Sequence, residues 1–182
     1  MCIRDRYSDE PYNVTRALLL MVILTATRSG EARGMRWAEI DFHKRVWTIP
    51  AERMKARLQH RVPLSRQAIY ILENIRGLHD ELVFPSPRKQ QILSDMVLTS
   101  FLRKKKAVSD IPGRVATAHG FRSTFRDWCS EQGYSRDLAE RALAHTLKNK
   151  VEAAYHRTDL LEQRVPMMQA WADYVMSQIV NK

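Results

Sequence analysis

With 182 residues, 45% of them hydrophobic, the chain is long enough for one compact domain with its own core and marginal for two. Lys and Arg number 30 against 20 Asp and Glu, a net charge of +10. That surplus favours a polyanionic partner but does not separate DNA from RNA or an anionic membrane. Only two cysteines occur, Cys2 and Cys129, which excludes a disulfide framework and a cysteine-based zinc site. Cys129 follows Trp128 in an apolar helical pattern, so a buried free thiol is expected, and a reducing cytoplasm fits.

Residues 1–10 (MCIRDRYSDE) are polar and aperiodic and read as a disordered or non-native start. Residues 11–27 form the first predicted helix, with Pro11 at an early position where proline is tolerated. Its apolar run, residues 17–26 (ALLLMVILTA), is shorter than the roughly 20 residues that span a bilayer. Asp5, Asp9 and Glu10 lie among the basic residues before it, which argues against a signal peptide and for a buried core helix. Ser29 is placed to cap a second, short helix, SGEARGMRW, with Glu31 in its first turn.

RVWTIP (residues 45–50) and RVPL (residues 61–64) read as the strands of a hairpin joined by a long polar connection, AERMKARLQH. Ser65 caps a predicted helix to about residue 78, with Ala68, Ile71, Leu72 and Ile75 on one face. Pro85 and Pro87 mark a loop, residues 94–106 a helix ending in Arg103, Lys104, Lys105 and Lys106, and Pro112 with Gly113 a break. The last third is helical, with one helix from near His119, one over residues 135–145, a short one over residues 151–156 and a last one from near Pro166. Leu161, Val165, Met168, Ala172, Val175 and Ile179 recur at alternating steps of four and three, a stripe suited equally to its own domain or to a neighbour. The expected fold class is mainly α with a small antiparallel β-sheet.

Several residues can carry chemistry. In HGFR, His119 and Arg122 are three apart and share a helix face, while Phe121, Phe125 and Trp128 anchor another. A guanidinium fork and an imidazole suit a phosphate, although an isolated H-x-x-R equally describes a surface pair. Arg28 lies between an apolar helix and a capped one. It can meet an anion there, or pair with Glu31 three residues on, or do both if Glu31 orients it. Lys55 sits in the hairpin connection, where a flexible arm can deliver a proton; His60 closes the same segment and is equally readable as structural. His145 ends LAERALAH, and Tyr155 follows ten residues later; a phenol becomes a nucleophile when cations and a base assist it. On chemistry alone Tyr7, Tyr12, Tyr70, Tyr134 and Tyr174 compete with Tyr155.

The ordered set Arg28, Lys55, His119, Arg122, His145 and Tyr155 resembles the active-site series of the tyrosine recombinases of phage and prophage integrase type. RSGEARGMRW resembles the first arginine motif, WTIPAERMKARLQHRVPLS the hairpin with the catalytic lysine, and HGFRSTFRDW the box of the first histidine and second arginine. LAHTLKNKVEAAYHR resembles the segment with the second histidine and the nucleophile, and DLLEQRVPMMQAWADYV the tail of the prophage subgroup. Ala144 stands where many members carry Gly.

The resemblance implies a tyrosine recombinase catalytic domain over residues 11–182, with the N-terminal core-binding and arm-binding domains absent. It also implies a cytoplasmic enzyme of bacterial, phage or prophage origin that integrates or excises a mobile element, needing neither cofactor nor metal. Its partner would be double-stranded DNA, with a homotetramer on DNA and a monomer without it. Tyr155 would form a 3′-phosphotyrosine, with Arg28 and Arg122 on the phosphate, His119 assisting proton transfer, Lys55 protonating the leaving oxygen and His145 donating a hydrogen bond. The alternatives are a type IB topoisomerase-like enzyme, a truncated DNA-binding remnant, and an unrelated basic helical protein in which the six residues do not converge.

Overall fold

A computed structural model describes residues 13–145, apart from 89 and 110, and residues 158–180. Tyr155, the expected short helix at 151–156 and the expected irregular start at 1–10 lie outside the described residues. Helix α1 (Val14–Thr25) is started by Asn13, whose side chain accepts from the backbone N–H groups of Thr15 and Arg16, rather than at Pro11. It is a core helix: Leu18, Met21 and Val22 have no exposed surface. Ala26 ends it in the left-handed conformation, φ 51°.

Helix α2 (Ser29–Arg33) is shorter than expected, and its cap differs. Arg28, not Ser29, holds the cap position, because the Glu31 carboxylate reaches back to accept the Arg28 backbone N–H at 2.9 Å. Strands β1 (Ile40–Asp41), β2 (Val46–Ile49) and β3 (His60–Pro63) form an antiparallel sheet in chain order, one strand more than the hairpin alone. In its register Trp47 pairs with Ile40 and Val62, and Ile49 pairs with His60.

Helix α3 (Arg66–Ile75) is capped by Ser65 and buries Ala68, Ile71, Leu72 and Ile75, the four residues of the expected face. Helix α4 (Val97–Lys104) starts three residues after Ser94, and α5 (Gly120–Glu131) has His119 at its cap. Helix α6 (Arg136–Ala142) is capped by Ser135 and stops short of His145. The last helix, α7 (Leu161–Val180), begins before Pro166. The Asp159 carboxylate accepts from the Leu161 N–H, and Arg164 of the first turn donates to Asp159 and to the Arg61 carbonyl, so tertiary contacts hold the turn that sequence alone leaves open.

The hydrophobic interior has two parts. One joins α1, α2, α3 and the sheet around Leu18, Met21, Trp47, Ile49 and Leu72. The other joins α5, α6 and α7 around Phe125, Trp128, Leu138, Met167 and Trp171. Trp171 meets the rings of Phe125 and Trp128 at 5.4 and 5.2 Å, and its indole N–H donates to the Ile23 carbonyl of α1. The buried side of α7 is Arg164, Met167, Met168, Trp171 and Ala172, while Val165 is half exposed. The helix thus packs on its own domain: Met168 and Ala172 of the expected stripe are buried and Val175 packs against the core, while Val165 turns outward and Arg164, Met167 and Trp171 join the buried face. Cys129 is fully buried as foreseen, 3.9 Å from the Met167 sulfur, and burial pushes its thiol up to about 12.

Candidate active site

The two parts of the interior meet where the chain turns at Ala26 and again at residues 143–145. Arg122, four residues into the α5 region that begins at His119, points its side chain into this seam and is 4% exposed. Among the described residues no carboxylate receives it directly. Its fork donates instead to the carbonyl of Ala26, at the end of α1, and to that of Leu143, at the end of α6, the latter at 2.7 Å. Carbonyls at helix C-termini lack intrahelical donors and carry the negative end of the helix dipole, so two helix ends together suit a guanidinium.

Ala144 follows with φ 49°. The His145 N–H bonds to the Glu140 carbonyl and the Ala144 N–H to the Arg141 carbonyl, the paired bonds of a Schellman turn with Ala144 at the left-handed position. This turn brings the chain back so that His145 Nε2 lies 3.2 Å from Arg122 Nη2, and its Nδ1 lies 2.6 Å from Glu140 Oε2. Arg126 braces the same carboxylate from α5, its Nε 2.9 Å from Glu140 Oε1.

Arg28 approaches from the other side. Its Nη1 donates to Glu31 Oε1 at 2.7 Å, and its Nη2 reaches the Ala144 carbonyl at 3.5 Å. Of the readings open for Arg28, the ion pair with Glu31 forms, and the same guanidinium reaches the turn that holds His145. Burial first, and then the Arg28 charge, pull the Arg122 guanidinium down to about 10, with Glu31 and Glu140 opposing. Arg122 therefore remains charged at neutral pH, and its Nε has no hydrogen-bond partner among the described residues. Two neighbouring guanidiniums, one of them buried, form a place where an anion relieves repulsion.

Lys55 shares a cleft of about 430 Å³ with Arg28, Glu31 and Arg53. The hairpin connection that carries it differs from a free arm: Met54 is 3% exposed, and Arg53 donates to the Glu31 carbonyl at 3.3 Å and to Glu39 at 2.8 Å. Lys55 itself is exposed. His119 is exposed at the start of α5, one turn before Arg122. His60 does not line this cleft and is buried, 8% exposed. Burial above all, with Arg164 adding, lowers His60 to about 4, so it is neutral at pH 7 and structural in place. Tyr134 and Tyr174 pack on Trp128, at 5.5 and 6.0 Å, which accounts for both.

Arg28, Arg122 and His145 thus converge, and Lys55 opens onto the same side as Arg28; an unrelated fold in which these residues scatter does not describe this chain. Sequence reasoning missed Glu140 and Arg53. Glu140 stands five residues before His145, a spacing that no helix face brings together, and only the left-handed turn at Ala144 makes them neighbours.

The fold is that of the catalytic domains of tyrosine recombinases. The integrase from mycobacterium phage Brujita superposes with a TM-score of 0.66 at 17% identity, over 92% of this chain and 54% of that one. A lambda integrase tetramer bound to a Holliday junction superposes with a TM-score of 0.57 at 21% identity, over 85% of this chain and 45% of that one. The sequence profile of the phage integrase family matches residues 6–161, and the chain belongs to that family. It is 44% identical over 164 residues to prophage integrase IntA of Escherichia coli K12 and 37% identical over 179 residues to the integrase of Enterobacteria phage P4. These alignments take in 88% and 89% of this chain but only 38% and 40% of the two relatives. Among the described residues no helix is long and apolar enough to cross a membrane.

Proposed function

We propose that this chain, over residues 11–182, is the catalytic part of a site-specific recombinase that cuts and rejoins double-stranded DNA to integrate or excise a mobile element. The observation that carries the reading is the meeting of Arg28, buried Arg122 and His145 at the turn after α6, in a protein of net charge +10.

In the proposed reaction the Tyr155 oxygen attacks a backbone phosphorus as its phenol proton leaves with the help of His119. Arg28 and Arg122 bind the non-bridging oxygens, where charge gathers in the transition state. The bond to the 5′ oxygen breaks, and Lys55 supplies the proton that makes it a 5′-hydroxyl. His145 adds a hydrogen bond to the phosphate. The 3′-phosphotyrosine keeps the energy of the phosphodiester, so attack by a second 5′-hydroxyl reverses the step on a new strand without ATP. Four copies on two duplexes are the proposed assembly, and a monomer the free state.

The test is a labelled set of nicked duplexes drawn from the genomic flanks, incubated with the protein and then denatured. Label is expected on the parent chain and not on Tyr155→Phe. Label on both would assign attack to another residue. DNA bound in a native gel with label on neither would make the chain a DNA-binding remnant.

A further inference from the structure

His145 stands between two groups of fixed chemistry. On its Nδ1 side is the Glu140 carboxylate, at 2.6 Å, which only accepts hydrogen bonds when ionised. On its Nε2 side is Arg122 Nη2, at 3.2 Å, which only donates. An acceptor on one side and a donor on the other select one neutral tautomer, with the proton on Nδ1 and a lone pair on Nε2. Glu140 is itself held. Arg126 donates Nε to its other oxygen at 2.9 Å and Nη1 to Ser130 Oγ at 2.6 Å, and the Glu140 side chain is 19% exposed. Burial opposes the Glu140 charge, but the hydrogen bonds from His145 and Arg126 prevail and keep its carboxyl below the usual range.

We propose that Glu140, braced by Arg126, is a positioning residue that fixes the His145 ring through Nδ1 and so presents Nε2 to the scissile phosphate. This rests on the recombinase reading. In the free protein Nε2 accepts from Arg122. When Arg122 turns its fork to a phosphate, Nε2 faces the phosphate oxygens, and a ring that donates through both nitrogens spans the Glu140 carboxylate on one side and the phosphate on the other. Among the described residues, the charged groups facing His145 are Glu140 from α6, Arg122 and Arg126 from α5, and Arg28 with its partner Glu31 from the start of α2. Glu140 is the one carboxylate among the described residues that touches the ring.

Two measurements test this. The first is the nitrogen-15 spectrum of histidine-labelled protein without DNA, with His145→Gln to assign the signal. The Nδ1–H tautomer is expected in the parent chain and in Glu140→Asp, and its loss in Glu140→Gln, whose amide can turn an N–H toward Nδ1. The second is the single-turnover rate of covalent adduct formation. Glu140→Gln is expected to slow it about tenfold to a hundredfold, by analogy with partners that orient metal-ligating histidines, with duplex affinity unchanged and part of the rate restored in Glu140→Asp. In a His145→Gln background Glu140→Gln is expected to add nothing. An unchanged tautomer in Glu140→Gln, or an equal loss of rate in both backgrounds, would overturn the proposal and leave Glu140 as a structural link between α5 and α6. Absence of adduct in the parent chain would instead sink the recombinase reading, and the spectrum would still decide the role of Glu140.

Discussion

At the scale of single residues, the seam is built from charges that the fold accepts because helix ends receive them. Arg122 shows this most clearly, since two carbonyl groups and an imidazole take the place of a carboxylate. His60, nearby and buried, makes the opposite choice and stays neutral. The consequence is a pH dependence of stability. An unfolded histidine takes up a proton near pH 6.5, but folded His60 does so only near about 4. Stability is therefore unaffected above pH 6.5 and falls as pH drops from there toward 4. At pH 5.0 the loss due to His60 is about 2 kcal/mol relative to pH 7.5. Denaturant titrations at the two pH values are expected to show it, and His60→Gln to remove most of it. An unchanged slope in the variant would assign the loss elsewhere. Glu140 and Asp159 act in a lower window, because their pKa values are held down: their contribution is present above the ordinary carboxylate range and is lost only as pH falls through the folded values.

At the scale of elements, two short segments position the site by ending helices. Ala26 closes α1 and Ala144 closes α6, both left-handed, and both offer carbonyls to the arginines. A Cβ is unfavourable in that conformation, and glycine has none. The departure at Ala144 from the glycine common in the family thus has a physical cost. Ala144→Gly is expected to stabilise the protein by about 1 kcal/mol, after allowing for the greater freedom glycine has when unfolded. The midpoint of thermal unfolding would rise by a few degrees; no rise, or a fall, would show that Ala144 gains packing that offsets its backbone conformation. The hairpin connection belongs at this scale too. Arg53 ties it to α2 through the Glu31 carbonyl and to the turn before β1 through the Glu39 carboxylate, so the loop of Lys55 is fastened to the helix behind Arg28.

At the scale of the whole molecule, α7 is the strut between the two parts of the interior. Trp171 packs on Phe125 and Trp128 of α5 and donates to Ile23 of α1, and Arg164 anchors the same helix to β3 through the Arg61 carbonyl. Trp171→Ala removes a fully enclosed indole and leaves the Ile23 carbonyl without its donor. A loss of about 3 to 5 kcal/mol in denaturant unfolding is expected, enough to threaten the fold of a domain this size. A loss near 1 kcal/mol would mean that α7 docks weakly and that each part of the interior stands by itself.

What the sequence determined by itself was mostly local. The apolar run of residues 17–26 marked α1, the face of Ala68, Ile71, Leu72 and Ile75 with the Ser65 cap marked α3, and RVWTIP with RVPL marked the β2–β3 pair of the sheet. The motif order around Arg28, Lys55, His119, Arg122, His145 and Tyr155 named the candidate site, because side-chain chemistry is written residue by residue. What only the tertiary structure decided depends on distance through space. Glu31 moved the cap of α2 to Arg28, Asp159 and Arg164 began α7 before Pro166, and Trp171 turned the buried face of that helix away from Val165. Glu140 became the partner of His145 for the same reason. Its spacing matches no helical or strand period, and one left-handed residue closes a gap that no periodic pattern encodes.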